Sequence, residues 1–132
     1  MKKLENFRKA LENLRDIYTC EEPYSNIELA GCVQLYEVCF ELAWKAMKEK
    51  LQDEGFPEAR TGSPKQVLKT AYEAGMITEE ESWLAALADR NNVAHAYEKN
   101  IALGIVRNTK ARYVRLFETL LETMEAEMRE DA

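Results

Sequence analysis

The side chains best suited to chemistry lie in one short stretch, Arg90-Asn91-Asn92-Val93-Ala94-His95-Ala96-Tyr97. It contains the chain's one histidine. Imidazole titrates near neutral pH, so His95 can move the proton of an attacking 2′-hydroxyl or of a leaving oxygen. The planar guanidinium of Arg90 suits a bidentate grip on the negative charge that develops during phosphoryl chemistry. The stretch therefore predicts phosphodiester chemistry that does not depend on a metal ion.

Two more polar side chains belong to this candidate site. Asn91 can orient Arg90 and His95 or donate a hydrogen bond to phosphate, and Tyr97 offers a hydroxyl at the edge of the same surface. On an unbroken helix, residues five apart point about 140° away from each other. Arg90 and His95 therefore act together only if the helix deforms at the two asparagines or if a second chain supplies one of them.

The pair of Arg90 and His95 alone is weak evidence for a site. A lone histidine is most often a surface residue or a satisfied core residue, and an arginine five positions before it occurs by chance at about one in twenty. Requiring Asn91 and Tyr97 as well lowers the chance of a match to the order of one in ten thousand. This lower chance carries weight only because a known pattern specifies the four positions.

Apolar residues at three-and-four spacing predict that helices carry this stretch. The predicted helices run from about Lys2 to Thr19, Asn26 to Glu54, Ser63 to Ala74, Thr78 to Asn91, and from Asn100 towards the C-terminus. No strand pattern or Gly-rich loop competes with them. The sequence predicts an all-α fold, an antiparallel up-and-down bundle of about five helices, formed by a single domain over residues 1–132.

Local signals predict where these helices begin and end. Ser63 and Thr78 each precede a run typical of a capped helix start, and Gly55 and Gly75 are expected to end helices. Gly31 lies inside the second predicted helix, where glycine is unfavourable. It is expected to mark the close approach of another backbone.

The three cysteines, Cys20, Cys32 and Cys39, form no CxxC pair and cannot all be bridged within one chain. They are expected to be reduced, with Cys32 and Cys39 buried on one face of a helix. With one histidine, a zinc or di-metal site has few ligands to draw on, so no metal and no cofactor are predicted.

The chain has 18 basic and 24 acidic residues and a net charge of −6. This balance argues against tight, nonspecific binding of nucleic acid, which depends on neutralising phosphates. A basic run at Arg107, Lys110, Arg112 and Arg115 is better interpreted as a solvated helix face. No apolar segment is long enough for secretion or for a membrane span, so a soluble, cytoplasmic protein is expected.

The motif R-N-x-x-x-H-x-Y resembles the Rx4HxY signature of HEPN toxins, the higher-eukaryote-and-prokaryote nucleotide-binding domain. Three further blocks resemble, in order, the nucleotidyltransferase substrate-binding protein branch of that family. They are Phe40-Glu41-Leu42-Ala43-Trp44-Lys45, Ser63-Pro64-Lys65-Gln66-Val67 and Trp83-Leu84-Ala85-Ala86-Leu87-Ala88-Asp89-Arg90-Asn91. The resemblance covers essentially the whole chain.

The resemblance implies a homodimer in which two copies of the motif face each other across a cleft, with Arg90 and His95 completing a composite site. It also implies a minimal nucleotidyltransferase encoded nearby. In the toxin-antitoxin version of the family, the helical chain cleaves RNA, and the partner silences it by transferring AMP to the tyrosine of the motif, here Tyr97. That modification would place bulk and negative charge where substrate phosphate binds.

Two other interpretations of the same residues remain open. In the first, the chain is a non-catalytic subunit that recruits a nucleotide or acceptor substrate to the nucleotidyltransferase. In the second, it is a helical interaction module whose Arg90 and His95 stabilise a dimer interface. Substitution of His95 separates the ribonuclease from both, because only the ribonuclease predicts cleavage that the substitution abolishes.

Overall fold

The computed structural model describes residues 2–131, and Met1 and Ala132, the ends of the predicted single domain, lie outside the described residues. The α-helices are α1 (Lys2–Leu14), α2 (Asn26–Asp53), α3 (Pro64–Glu73), α4 (Glu80–Asn91), α5 (Lys99–Asn108) and α6 (Val114–Asp131). A π-helical turn, Thr109–Tyr113, joins α5 to α6 without a break. With α5 and α6 counted as one, residues 2–131 form five helices and no strand, which confirms the predicted all-α fold.

Helix α2 is the central element of the bundle and packs against α1, α3, α4 and α5. It begins with a capping box, in which the Ser25 hydroxyl accepts from the backbone N–H of Glu28 and the Glu28 carboxylate accepts from that of Ser25. It ends before Gly55, whose φ of +86° lies in the left-handed region that favours glycine. Local chemistry therefore sets both ends of the helix that supports the candidate site.

A cluster of buried aromatic rings joins α2, α4 and the C-terminal helix. The Tyr36 ring stacks on Tyr113 with centroids 5.3 Å apart and lies 6.2 Å from Phe117. Trp83 of α4 lies 5.5 Å from Phe117 and 6.2 Å from Phe40. Such contacts add to the hydrophobic stabilisation of the core. The cluster fixes α4, and with it the motif at the end of α4, against the rest of the bundle.

The first predicted helix differs from the structure in its last turn. The chain changes from α-helix to a 3-10 turn at Arg15–Thr19. A 3-10 turn has three residues per turn, so the buried position after Leu14 moves to Ile17. The three-and-four spacing of Leu4, Phe7, Leu11, Leu14 and Tyr18 predicts that all five lie on one apolar stripe of this helix. For Tyr18 that prediction is wrong, because the residue is 51% exposed.

Two further local predictions are wrong. Thr78 does not cap α4, which begins at Glu80 without a side-chain cap. The preceding turn is instead held by the buried side chains of Met76 and Ile77, which set the path into the helix. A Cβ placed on Gly31 would meet nothing within 4 Å, so no backbone of the described chain approaches it.

The predictions for the helix limits at Ser63 and Gly75 and for the cysteines are confirmed. The Ser63 hydroxyl caps α3 by accepting from the Gln66 N–H, and Gly75, with φ +79°, follows its end. Cys32 and Cys39 are buried, and all three thiols are free. Within residues 2–131, no helix combines the length and apolar character needed to cross a bilayer.

Candidate functional site

The helix that carries the motif breaks at the two asparagines. Helix α4 ends at Asn91, and a 3-10 turn at Val93–His95 follows directly. The turn is closed by backbone bonds from the His95 N–H to the Asn92 carbonyl, 2.9 Å, and from the Ala96 N–H to the Val93 carbonyl, 3.0 Å. The sequence predicted that Arg90 and His95 act together only if the helix deforms or a second chain supplies one of them. The structure shows that the helix does deform within one chain.

Arg90, in the last turn of α4, is held by one acidic partner and one polar partner. Its Nη2 forms an ion pair with Oε1 of Glu41 on α2, and its Nη1 donates to Oδ1 of Asn91 at 3.1 Å. The Glu41 carboxylate also accepts from the indole N–H of Trp44 at 3.2 Å. The side chains of Arg90 and Glu41 are 26% and 25% exposed. The guanidinium is thus oriented and half-buried, and its Nε–H donates to no group of residues 2–131.

Asp89 fixes the end of α4 from the opposite direction. Its Oδ2 accepts from the Tyr113 hydroxyl at 2.6 Å and from the Asn108 amide at 3.0 Å. Tyr113 lies in the π-helical turn and Asn108 directly precedes it, and π turns are frequent at functional sites. Burial, reinforced by the hydrogen bond to Asp89, raises the pKa of Tyr113 well above its ordinary value, so the hydroxyl keeps its proton.

His95 and Tyr97 lie on the surface beyond the end of α4. The 3-10 turn and the residue that follows it are anchored by Val93 and Ala96, which pack against the core. The His95 side chain is exposed, and Tyr97 is 88% exposed. Neither side chain makes a hydrogen bond or ion pair with another described residue. The backbone of the turn is fixed, and both reactive groups are presented to solvent.

The structure therefore brings together some of the predicted site residues and not others. Arg90 and Asn91 are in direct contact, but no hydrogen bond or ion pair among the described residues joins the side chain of either to His95 or Tyr97. Sequence reasoning assigned no role to Glu41. The signal available for it was a charged residue in an otherwise largely apolar stretch of the central helix.

The network of Asp89, Asn108 and Tyr113 was also not predicted. Asp89 directly precedes the motif, but its partners are Asn108, at the end of α5, and Tyr113, in the π-helical turn. Val106, Tyr113 and Leu116 are spaced by seven and three residues, which is also compatible with an unbroken α-helix, so the spacing does not indicate the π turn.

The basic run on α5 and α6 does not form an open cationic patch. Arg107 is paired with Glu22, and Lys110 donates to the carbonyl of Cys20 and lies 4.9 Å from the ring centre of Tyr24. Arg112 and Arg115 are exposed. Arg112 also lies 5.6 Å from the ring centre of Tyr113, so three of the four cations are engaged within the chain. Among the described residues, no cluster of three His, Cys, Asp or Glu side chains could hold a metal ion.

Comparison with known proteins identifies the family. The model of the family described as nucleotidyltransferase substrate binding protein like matches residues 2–126. The chain is 30% identical over 79 residues to a Haemophilus influenzae protein named "Probable ribonuclease HepT"; that match covers 58% of this chain and 54% of the relative. The chain thus spans about half the length of this curated relative.

Two solved structures share the fold. A crystal structure of a Thermus thermophilus protein has a TM-score of 0.78 and 32% identity, over 88% of this chain and 96% of that one. The second, from Haemophilus influenzae, is described as revealing the fold of a substrate binding domain of a nucleotidyltransferase. It has a TM-score of 0.77 and 23% identity, over 92% of this chain and 98% of that one. The chain therefore belongs to the nucleotidyltransferase substrate-binding-like family that its sequence motifs indicated.

Proposed function

We propose that this protein is a metal-independent endoribonuclease in which Arg90, Asn91 and His95 carry the chemistry. The observation that supports this function best is the break of α4 at Asn91. It leaves a half-buried, oriented arginine at the helix end and presents the exposed histidine on a fixed turn just beyond it. The name of the curated relative, a probable ribonuclease, agrees with this function.

The chemistry follows from the properties of these groups. His95 removes the proton of a ribose 2′-hydroxyl, whose oxygen attacks the adjacent phosphorus. Arg90 keeps its ion pair with Glu41 and uses its remaining N–H groups to stabilise the charge on the phosphoryl oxygens. Asn91 holds the guanidinium in this orientation through its side-chain oxygen. The bond to the 5′-oxygen breaks, and that oxygen takes up a proton from solvent water, while His95 gives its proton back to solvent.

A homodimer in which each site combines Arg90 of one copy with His95 of the other completes the proposal. Mixing Arg90→Ala with His95→Ala protein tests it, because half of the mixed dimers' sites then keep both groups. With random exchange of subunits, we expect the mixture to recover about one quarter of wild-type cleavage. Recovery of none would show that each site is formed within one chain.

Regulation is proposed to occur at Tyr97, through transfer of AMP by a minimal nucleotidyltransferase encoded nearby. The Tyr97 hydroxyl is accessible to such an enzyme because its side chain is 88% exposed. The added phosphate would place negative charge where substrate phosphate is proposed to bind. Co-expression with the transferase followed by mass spectrometry tests this, with Tyr97→Phe expected to remain unmodified.

The ribonuclease is tested by incubating wild-type and His95→Ala protein with total cellular RNA in chelator and reading the products on a denaturing gel. Wild type alone is expected to cut. A second function, a non-catalytic subunit that presents substrate to the transferase, is favoured by one observation: no described group fixes the tautomer of His95. Intact RNA after incubation with unmodified wild type would support that function instead.

A further inference from the structure

A pocket beside the motif takes no part in the proposed cleavage. It lies between the connection from α1 to α2 and the first turns of α5, with a volume of about 300 Å³. Its walls are formed by Glu22, Pro23, Tyr24, Leu29, Lys99 and Leu103. This volume lies at the lower end of the range for small-molecule sites. A group of nucleobase size therefore matches it better than a larger ligand.

The pocket lies within reach of the motif. Lys99 follows Tyr97 by two residues, so their Cα atoms are at most about 7 Å apart. The exposed side chain of Tyr97 has no partner among the described residues that would hold it away. A nucleotide bound at the motif, or one attached to the Tyr97 hydroxyl, can therefore place its base in this pocket.

The walls are apolar and hold one aromatic ring. Pro23, Leu29 and Leu103 contribute aliphatic surface, and Tyr24 contributes its ring. That ring is held in place, because the ammonium group of Lys110 lies 4.9 Å from its centre. Aromatic and apolar walls of this kind bind the flat faces of nucleobases.

Two charged groups at the rim add chemical selectivity. Both Nε and Nη2 of Arg107 contact the same oxygen of Glu22, Oε1, at 3.1 and 2.5 Å. The other carboxylate oxygen, Oε2, accepts no hydrogen bond from residues 2–131 and can accept from an exocyclic amino group. Lys99 forms no ion pair with another described residue and offers a cation for phosphate.

We propose that this pocket is a binding site for an amino-bearing nucleobase, with the attached phosphate at Lys99. The source of the base rests on the proposed function: it is either a nucleotide of the RNA next to the scissile bond or the AMP carried by Tyr97. The two sources share one chemistry, a nucleobase with an amino group on a phosphorylated ribose.

The test uses AMP as the probe and isothermal titration calorimetry on the full chain. Leu103→Trp fills the pocket, Lys99→Glu reverses the charge at its rim, and Lys69→Glu makes the same charge change on the exposed face of α3. We expect saturable binding to wild type, at least tenfold weaker binding to the first two variants, and unchanged binding to the third. UMP, whose base lacks an amino group, should bind at least tenfold more weakly than AMP.

Circular dichroism of each variant shows whether it is folded. If Leu103→Trp does not fold, Lys99→Glu still tests the proposal. The proposal is overturned if wild type shows no saturable AMP binding, or if both pocket variants bind AMP as wild type does. Equal binding of UMP and AMP would overturn the assignment of Glu22 as the acceptor for the amino group.

Two further measurements distinguish the sources of the base. A higher KM for cleavage of oligoadenylate by Leu103→Trp would identify the RNA. Faster removal of AMP from modified Leu103→Trp by a phosphodiesterase, relative to modified wild type, would identify Tyr97. The AMP titration requires neither cleavage nor modification, so the pocket and the proposed ribonuclease can fail independently.

Discussion

The hydroxyl of Tyr113 ties the π-helical turn to the end of α4 that carries the motif. It donates to Asp89 at 2.6 Å, and its ring is fully buried against Tyr36. Tyr113→Phe removes the hydroxyl and leaves the ring packing in place. Tyr36→Phe is a matched control, because its equally buried hydroxyl donates to a neutral acceptor, the backbone carbonyl of Ala86.

The two substitutions should lower the free energy of unfolding by different amounts, because one hydroxyl donates to a charged acceptor and the other to a neutral one. A hydrogen bond to a charged group contributes about 1.5–3 kcal/mol, and one to a neutral group about 0.5–1.5 kcal/mol. Asn108 still donates to Asp89 at 3.0 Å in Tyr113→Phe, which places its expected loss at the lower end, roughly 1.5–2 kcal/mol. Tyr36→Phe should cost about 1 kcal/mol or less.

The assay is urea unfolding followed by circular dichroism at neutral pH. We expect a lower midpoint for both variants, with an unchanged dependence on urea, and a larger decrease in the free energy of unfolding for Tyr113→Phe. If Tyr113→Phe is no less stable than Tyr36→Phe, the bond to Asp89 does not hold the end of α4 in the way described.

The Tyr113 hydroxyl also makes the free energy of unfolding depend on pH in the alkaline range. Burial, and then the bond to Asp89, raises the pKa of Tyr113 above its ordinary value near 10, so the folded state holds this proton more tightly than the unfolded state. The contribution is fully present below about pH 10 and decreases as the pH rises above it. The difference in stability between wild type and Tyr113→Phe should therefore be smaller at pH 11 than at pH 9. A difference that grew with pH would contradict this.

Three further predictions concern other parts of the chain. Glu41→Gln weakens the charged contact to Arg90 and should lower RNA cleavage about tenfold, since roughly 1.4 kcal/mol corresponds to a factor of ten; unchanged cleavage would rule out a positioning role. Ser25→Ala removes the N-cap of α2 and should lower the free energy of unfolding by about 1 kcal/mol in the urea assay, whereas no change would mean that the cap is dispensable. Iodoacetamide should modify Cys20 in the native protein but Cys39, whose thiol pKa is raised by burial, only in denaturant; mass spectrometry of native protein modified at Cys39 would contradict this.

The fold was largely predictable because short-range chemistry determines most helix limits. Ser63 caps α3. Gly55 and Gly75 follow helices and adopt positive φ angles, a backbone conformation that favours glycine. Tyr18 could not be placed from periodicity, because the change from α to 3-10 geometry shifts which residue faces the core. Thr78 was misassigned because burial of the preceding residues, and not the cap, determines how α4 begins.

The sequence indicated which residues make up the candidate site, but not the contacts that hold them in place. Arg90 and Asn91 are adjacent in sequence, so their contact follows from local geometry. The ion pair of Arg90 with Glu41 depends on how α2 packs against α4, and the bond from Tyr113 to Asp89 depends on a π turn. Tertiary contacts of this kind leave no regular spacing in the sequence.

The most direct test of the proposed ribonuclease is the initial rate of cleavage of a fluorescent single-stranded RNA in chelator. Wild-type and His95→Ala protein would be compared at equal concentrations of unmodified, folded chain. We predict cleavage by wild type and a rate lower by a factor of about 10² to 10⁴ for His95→Ala, the usual contribution of a general acid or base. Equal rates for the two proteins, or no cleavage by wild type, would contradict the assignment of His95 as the group that moves the proton.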